Sequence, residues 1–385
     1  MQLALILIAI ILVSGYSLLL LYFRRSWKTI PDFEAPTPNL QPPTTNFPLI
    51  SLIIPARNEE KNIVNCLDSI SVQSYPRQYF EVLIVDDNST DRTAELVSSY
   101  KAENIKLISL SDYLADPAFN SFKKKAIETG ISKSLGELIV TSDADCLFPA
   151  DWLQTIAGFY EANKPEFMVM PVRFQTKYNF LEIFQSLDFM SLQGITGAAV
   201  NKRLLSMCNG ANLAYTRKAF QEVGGFEGID HIASGDDMLL MHKIYNLYPG
   251  GIKFVKSGEL IVTTLPMHTL KDFLHQRIRW ASKAVKYDDK RIFAVLLLVY
   301  LLNLWCLLMS IAAIFYPAIL YGFLGMIALK TLMEMIFLYP VARFFRSASL
   351  LWWFPLAQPF HILYTIIAGW LGKFGTYQWK GRKVN

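Results

Sequence analysis

The sequence predicts an α/β protein, a mostly parallel sheet covered by helices, with transmembrane helices added at its N- and C-terminal ends. Three observations carry this expectation. From Leu49 to about Pro266, apolar runs of strand length alternate with helical patterns. Leu3 to Phe23 is an uncharged apolar stretch long enough to span a bilayer. Beyond Phe293 long apolar stretches return, and the mean hydropathy of the chain is +0.28, unusual for a soluble protein.

Taken in order, residues 1–23 read as an N-terminal transmembrane anchor. Arg24, Arg25 and Lys28 follow at once, so the C-terminal end of the anchor is expected on the cytoplasmic side. A cleaved signal peptide would carry its charges before the apolar run, not after it. Residues 24–48 are a linker, stiffened by Pro31, Pro36, Pro38, Pro42, Pro43 and Pro48. The domain of alternating strands and helices spans 49–266. Its expected strands are Leu49–Pro55, Phe80–Val85, Lys106–Leu110 and Glu137–Thr141. Helices are expected at Asn62–Ser71, Thr90–Tyr100 and around Lys125–Ile131.

Residues 267–290 change character. Leu270, Phe273, Leu274, Ile278, Ala281 and Val285 recur at helical spacing, while Lys271, Arg277, Arg279, Lys283 and Lys286 fill the other faces. Such a basic amphipathic helix suits a membrane interface. Residues 291–372 form a C-terminal transmembrane region. Phe293–Tyr316 and Ala318–Val341 are each long enough to span, with Arg343 and Arg346 in a turn on the cytoplasmic side. Ser349–Leu371 is interrupted by Pro355, Gln358, Pro359 and His361. If it also spanned, the basic tail 373–385 would lie outside, against the positive-inside rule. A re-entrant or interfacial hairpin broken at the prolines is therefore expected. Lys330 and Glu334 lie four residues apart inside an apolar segment. They read as a self-satisfied pair on one helix face, or as the lining of a groove for a polar headgroup.

Whole-chain balances exclude some classes. Lys and Arg number 37 against 32 Asp and Glu, a net charge of +5. The cations cluster near apolar segments, which points to anionic lipid headgroups and a lipid bilayer, not nucleic acid. The 4 cysteines, Cys66, Cys146, Cys208 and Cys306, fit no zinc spacing and read as free thiols in a reducing compartment.

The chemistry is carried by acids at strand ends. Ser142-Asp143-Ala144-Asp145-Cys146 closes the run Glu137–Thr141. Ligands of open α/β sheets bind at the carboxyl ends of strands. Asp143 and Asp145 are spaced to share a divalent metal, and a metal can hold a diphosphate. Asp86-Asp87-Asn88-Ser89-Thr90-Asp91 likewise follows a strand. Asp87 is a candidate acceptor for a base or ribose, with Ser89 or Thr90 as helix caps and Asp91 near the helix's positive end. Pro55-Ala56-Arg57-Asn58-Glu59-Glu60 closes the first strand at the same edge, and Phe122-Lys123-Lys124-Lys125 supplies cations. Ser234-Gly235-Asp236-Asp237 opens a helix; either aspartate can cap it, or one can serve as a general base.

Together these residues resemble the membrane-embedded branch of the family-2 glycosyltransferases, from about Leu49 to Trp280. Ala56, Arg57, Asn58 and Glu59 match the family's first-strand signature, which contacts the nucleotide. Asp87 matches its uridine-binding aspartate. Lys123 stands three residues before Ala126 like the family's lysine, although Phe122 replaces the usual glycine. Asp143-Ala144-Asp145, with Pro149 and Asp151-Trp152-Leu153, is similar to the metal motif and its following helix. Cys208-Asn209-Gly210-Ala211-Asn212 and Tyr215-Thr216-Arg217 resemble the segment lining the acceptor site. Gly235-Asp236-Asp237 resembles the catalytic-base motif, with Asp237 in the base position. Gln276-Arg277-Ile278-Arg279-Trp280 matches the QxxRW motif of polysaccharide-synthase-like and ceramide-glucosyltransferase-like enzymes.

The resemblance implies a GT-A-like, mostly parallel mixed sheet and an inverting sugar transfer. The donor would be a nucleotide sugar, with uridine suggested by Asp87. The acceptor would be a hydroxyl of a lipid or glycan. Asp145 with Asp143 would hold Mg²⁺ or Mn²⁺. Asn209, Gly210, Asp236, Gln276, Arg279 and Trp280 would contact substrate. The expected location is the cell (inner) membrane, with the catalytic domain cytoplasmic. Two other readings stand beside single transfer: a processive polysaccharide synthase, and a non-catalytic assembly or binding subunit on the same fold. The small number of apolar segments disfavours a polymer channel, and the retained acids disfavour the non-catalytic reading.

Overall fold

The structure is a computed structural model describing residues 2–34, 47–113, 121–177, 179–204, 207–232, 235–282, 290–374, 377–379 and 382–384. In chain order the elements begin with helix α1 (Gln2–Thr29), strand β1 (Ile50–Ala56), α2 (Ile63–Ser71), β2 (Phe80–Asp86), α3 (Thr93–Ser99) and β3 (Ile105–Ser109). Next come α4 (Phe122–Lys133), β4 (Leu138–Thr141), α5 (Trp152–Asn163), β5 (Phe167–Val169), β6 (Val172–Phe174), α6 (Phe180–Asn201) and β7 (Leu213–Thr216). The remainder are α7 (Arg217–Glu222), α8 (Met238–Leu247), β8 (Ile252–Phe254), β9 (Val262–Thr264), α9 (Leu270–Ala281), α10 (Lys290–Phe315), α11 (Pro317–Phe344), α12 (Phe354–Phe374), β10 (Tyr377–Trp379) and β11 (Arg382–Val384).

The chain divides into two compact units. One, 30–173 with 207–265, is built on a seven-stranded sheet in the order β3-β2-β1-β4-β7-β5-β8. β1 pairs in parallel with β2 and with β4, and β2 pairs in parallel with β3. β7 runs antiparallel between β4 and β5, and β5 pairs in parallel with β8. The sheet is therefore mixed and mostly parallel, as the sequence predicts. Its central strands are apolar because both faces are covered. Leu52, Ile53, Ile54, Val82, Leu83, Ile84, Ile139 and Val140 are fully buried. The four expected strands all form, within one or two residues of their predicted ends.

The other unit, 1–29 with 174–206 and 266–385, is helical. It takes α6 out of the stretch 49–266 that the sequence pattern treats as one domain. Among the described residues, four of its segments are long and apolar enough to cross a membrane: Gln2–Thr29, Lys290–Phe315, Pro317–Phe344 and Ala348–Lys373. α1 continues past Phe23 into the predicted linker, because Arg24–Thr29 contains no breaker before Pro31. The last segment differs from the expected hairpin. α12 is a single helix running through Pro359. Proline removes one backbone donor, and a neighbouring helix can compensate for the lost bond. The expected amphipathic helix appears as α9, ending at Ala281; Lys283, Val285 and Lys286 lie outside the described residues.

Within this apolar unit the buried Lys330 and Glu334 are paired. Lys330 Nζ donates to Glu334 Oε1 at 2.7 Å and to Gln358 Oε1 at 2.8 Å. Gln358 Nε2 donates to Glu334 Oε2 at 2.5 Å, and Tyr16 OH to Glu334 Oε1 at 2.7 Å. The pair is thus closed by side chains from α1 and α12, and Lys330 is 0% exposed. It forms a cross-helix tie, and the headgroup-groove reading loses its support. Breaking one partner of a buried pair leaves an uncompensated charge, whereas apolar replacement of both is far better tolerated. Lys330→Met alone should therefore destabilise the protein by about 3–5 kcal/mol. The double variant Lys330→Met/Glu334→Met should recover most of that loss in thermal melts of the purified protein.

Candidate active site

The parallel register decides where the acids meet. Ala56 lies opposite Asp86, and Ile53 opposite Thr141, so the carboxyl ends of β1, β2 and β4 open on one edge. Arg57, Asp87 and Asp143 each follow one of these ends. The antiparallel strand adds the fourth loop. Thr141 at the end of β4 pairs with Leu213 at the start of β7, so Asn209–Asn212 arrive beside Asp143. Ser142 Oγ ties the two loops by donating to the Ala211 carbonyl at 2.6 Å.

The first two loops lock together. Arg57 Nη1 donates to the Asp87 carbonyl at 2.6 Å and lies 3.6 Å from its carboxylate Oδ1. Asp87 is buried, and its N–H donates to the Ala56 carbonyl at 2.8 Å. Asn58 and Asn88 both take φ of +53°, a left-handed turn that asparagine tolerates. The Asn58 N–H donates to Ser89 Oγ at 3.0 Å, and Asn58 Oδ1 accepts from the Thr90 N–H at 2.8 Å. The Glu59 N–H donates to Thr93 Oγ1 at 2.8 Å. Ser89 and Thr90 therefore tie loops together and are not the helix caps expected of them. α3 starts later, at Thr93, and Asp91 Oδ1 accepts its N–H at 3.0 Å.

Lys123 is the centre of the second group. Its Nζ stands 2.7 Å from Asp143 Oδ1 and 3.4 Å from Asp236 Oδ2. Burial alone would favour the neutral amine, but Asp143, Asp236 and Asp237 more than offset it and raise the pKa of Lys123. The three carboxylates thus favour the ammonium form of Lys123. Gly210 faces the same group. A Cβ there would stand 3.2 Å from both Asp236 Oδ2 and Lys123 Nζ, and 3.6 Å from the Asp237 Cβ. Asn209 Oδ1 accepts from the Ala211 N–H at 3.0 Å, which shapes this turn. Gly235 has φ of +84°, so only glycine turns the chain without strain just before the two aspartates.

The aspartates divide their tasks. Asp237 is the N-cap of α8, with Oδ1 accepting the Met238 N–H at 2.7 Å. Asp236, the other possible cap, is instead paired with Lys123. Asp145 Oδ2 accepts from Thr264 Oγ1 at 3.0 Å, because the bridge between Leu147 and Thr263 brings β9 alongside. Burial, and then the Asp145 charge, raise the Cys146 pKa, so this neighbour stays a neutral thiol.

The QxxRW residues stand on α9, in the helical unit. The sequence pattern put Arg277 among the outward cations; the structure buries it. Its Nε and Nη2 lie 2.8 and 2.6 Å from Asp188 Oδ2 on α6, and its Nη1 donates to Gln276 Oε1 at 2.6 Å. The guanidinium lies over the Phe273 and Trp280 rings, 4.6 and 4.3 Å from their centroids. Arg279 and Trp280 are partly exposed.

Lys124 read in the sequence only as one of a run of cations, and Thr264, Asp188 and Tyr364 escaped the pattern. Lys124 is buried and donates to the Ile229 and Ile232 carbonyls at 2.6 and 2.5 Å, holding the chain that leads to Asp236. Thr264 carries no local signal. Asp188 did have one, an acid inside the apolar run of α6, and Tyr364 shares its carboxylate.

No group of three or more His, Cys, Asp or Glu side chains among the described residues could hold a metal by itself. Asp143 and Asp145 nonetheless offer hard oxygen donors at one edge. That suits Mg²⁺ or Mn²⁺, which complete their shells with phosphate and water oxygens.

Comparison with known proteins gives a consistent result. The model of glycosyl transferase family 2 matches residues 51–224, and that of glycosyl transferase family group 2 matches 138–367. Glycosyltransferase AglE of Haloferax volcanii is 26% identical over 51% of this chain and 60% of its own length. Beta-monoglucosyldiacylglycerol synthase of Synechocystis sp. is 26% identical over 67% of this chain and 52% of its own. The chain thus spans a little over half the length of these curated relatives. Among solved structures, mannosyltransferase PcManGT from Pyrobaculum calidifontis, in complex with GDP-Man and Mn²⁺, shares the fold. Its TM-score is 0.57 at 20% identity, covering 94% of this chain and 99% of that one.

The geometry around Gly210 generates a direct check. A methyl group at 3.2 Å pushes on the flexible ends of Lys123 and Asp236, not on backbone. Gly210→Ala should keep its melting temperature but lose roughly tenfold or more in sugar transfer, because small misplacements at reacting groups are costly. Equal rates for variant and wild type in a product-release assay would contradict this arrangement.

Proposed function

Since the chain belongs to glycosyltransferase family 2, we propose that it is an inverting glycosyltransferase using a nucleoside-diphosphate sugar, with UDP as the nucleotide. Its acceptor is a hydroxyl of a lipid-linked or otherwise hydrophobic molecule at the cytoplasmic face of the cell membrane. One observation carries the reading: Lys123, Asp143, Gly210, Asp236 and Asp237 converge at the edge that also bears Asp87.

Asp87, backed by Arg57, receives the base and ribose, with the Ala56–Glu59 turn closing around the nucleotide. Asp237 accepts the proton of the acceptor hydroxyl as its oxygen attacks the anomeric carbon. The bond between that carbon and the diphosphate oxygen breaks, and the electron pair leaves with the nucleoside diphosphate. A single displacement inverts the centre, so no carboxylate nucleophile is needed. The Met238 N–H fixes Asp237 by one carboxylate oxygen. Lys123 spaces Asp143 from Asp236. Asp145, with Asp143, would hold Mg²⁺ or Mn²⁺, which supplies charge stabilisation to the departing diphosphate. Gln276, Arg279 and Trp280 of the QxxRW motif would offer a polar amide, a planar cation and an aromatic wall for a sugar or acceptor.

The membrane setting is supported by the four apolar helices and by Arg24, Arg25 and Lys28 after the first of them. The name of the Synechocystis relative, a glucosyldiacylglycerol synthase, favours a lipid acceptor. The Mn²⁺ and GDP-Man of the structural neighbour agree with a metal and a nucleotide sugar.

The defining experiment measures nucleoside diphosphate release by the full chain in lipid nanodiscs. UDP-glucose, UDP-N-acetylglucosamine and GDP-mannose are each supplied with diacylglycerol or a polyprenyl phosphate. Release stimulated by one of these acceptors is expected, and silence across the panel rejects the reading. Asp237→Asn should lower transfer by roughly 10²–10⁴-fold, the range for removing a general base, while nucleotide-sugar binding by calorimetry persists. Chelator treatment of stripped protein should abolish transfer, and Mg²⁺ or Mn²⁺ should restore it. Undiminished turnover in chelator would remove the metal from the scheme.

A further inference from the structure

Asp188 meets the motif through Arg277, the unassigned arginine inside Gln276-Arg277-Ile278-Arg279-Trp280, and Tyr364 packs against the cluster of Ile278 and Ala368. Asp188 uses both oxygens: Oδ2 accepts from the Arg277 Nε at 2.8 Å and lies 2.6 Å from its Nη2, and Oδ1 accepts the Tyr364 hydroxyl. Asp188 and Arg277 are 6% and 3% exposed. The guanidinium then reaches both flanking motif residues. Its Nη1 holds Gln276 Oε1 at 2.6 Å, and its plane lies 4.3 Å from the Trp280 ring centroid. Phe273 backs it on the same helix at 4.6 Å. Trp280 also packs against Phe189 of α6, with centroids 6.0 Å apart.

On a helix, sequence neighbours do not face each other. The Gln276–Arg277 contact therefore exists only while the guanidinium is held in a fixed direction. Asp188 supplies that hold by a charge-assisted bond, and Tyr364 fixes the carboxylate. One buried carboxylate thus sets the rotamers of two side chains that the reading above assigns to substrate binding.

We infer that Asp188 and Tyr364 are positioning residues for sugar transfer, acting through Arg277 on Gln276 and Trp280. The inference rests on the glycosyl-transfer reading above. Arg277 itself is a hub for these side chains and makes no substrate contact.

The test is a double-mutant cycle on the full chain in nanodiscs, using whichever of UDP-glucose, UDP-N-acetylglucosamine and GDP-mannose the wild type turns over with diacylglycerol. Tyr364→Phe removes one hydroxyl and keeps the ring, so it folds even where Asp188→Asn does not. In the wild-type background it should lower kcat by about three- to tenfold and leave the melting temperature within about 2 °C. Asp188→Asn should lose about tenfold or more. In a Trp280→Phe/Gln276→Ala background, where there is nothing left to position, Tyr364→Phe should cost no further rate. A proportional loss in both backgrounds would show a merely structural role and overturn the inference, as would an unchanged kcat in the single variant. Full activity of Trp280→Phe/Gln276→Ala also overturns it, by removing the target of the positioning. Absence of wild-type turnover across the panel fails the glycosyl-transfer reading itself, and is told apart by that control.

Discussion

Parallel pairing of β1 with both β2 and β4 is the constraint on which the site depends. Parallel neighbours point their carboxyl ends the same way, so the loops after them share one edge. The residues that follow these strands are polar and acidic: Arg57, Asp87, Asp143 and Asp145. Bringing so much negative charge to one edge requires a compensating cation, and Lys123 supplies it between Asp143 and Asp236. The antiparallel strand of the seven-stranded sheet, β7, begins where β4 ends and delivers Gly210 to the same place. Glycine there is a matter of space, since any side chain would occupy the position between Lys123 and Asp236.

The helical unit faces the opposite difficulty. Its helices are long and apolar, and ionisable groups buried among them survive only when matched. Two ties solve this. Tyr16, Lys330, Glu334 and Gln358 join α1, α11 and α12. Asp188, Arg277 and Tyr364 join α6, α9 and α12. Only the second is connected to motif residues, which is why the two ties carry different expectations for stability and for rate. Both use α12, the first through Gln358 and the second through Tyr364.

Membership of the family follows from models that match most of the chain, whereas the acceptor and donor rest on chemistry local to the site. Asp237 illustrates how capping and catalysis coexist. A carboxylate has two oxygens, and one of them is enough to satisfy the helix N–H. The cap then orients the group proposed to take the proton. A buried thiol beside Asp145 remains neutral and leaves that edge to hard oxygen donors.

Local pattern determined a good part of this protein. Strands such as Ile50–Ala56 and Phe80–Asp86 are legible because a strand buried on both faces must be continuously apolar. The apolar helices are legible because length and lack of charge suffice. The acids at the strand ends are legible because turns follow strands and because their order resembles a known family. The pairings were decided only in three dimensions. Nothing near Lys123 in the sequence announces Asp143 and Asp236, nor does Thr264 announce Asp145. Arg277 read as a surface cation because periodicity records which face a residue takes, not what stands opposite it. The partner, Asp188, lies 89 residues away on α6. Helix starts were misjudged for a related reason. Ser89 and Thr90 have capping chemistry, but the Asn58 loop competes for them, and a hydroxyl or amide makes the bond that tertiary approach offers. Proline at 359 suggested a break, yet packed neighbours let the helix continue. Contacts between distant segments are set by the whole chain's packing, and no local window of sequence contains them.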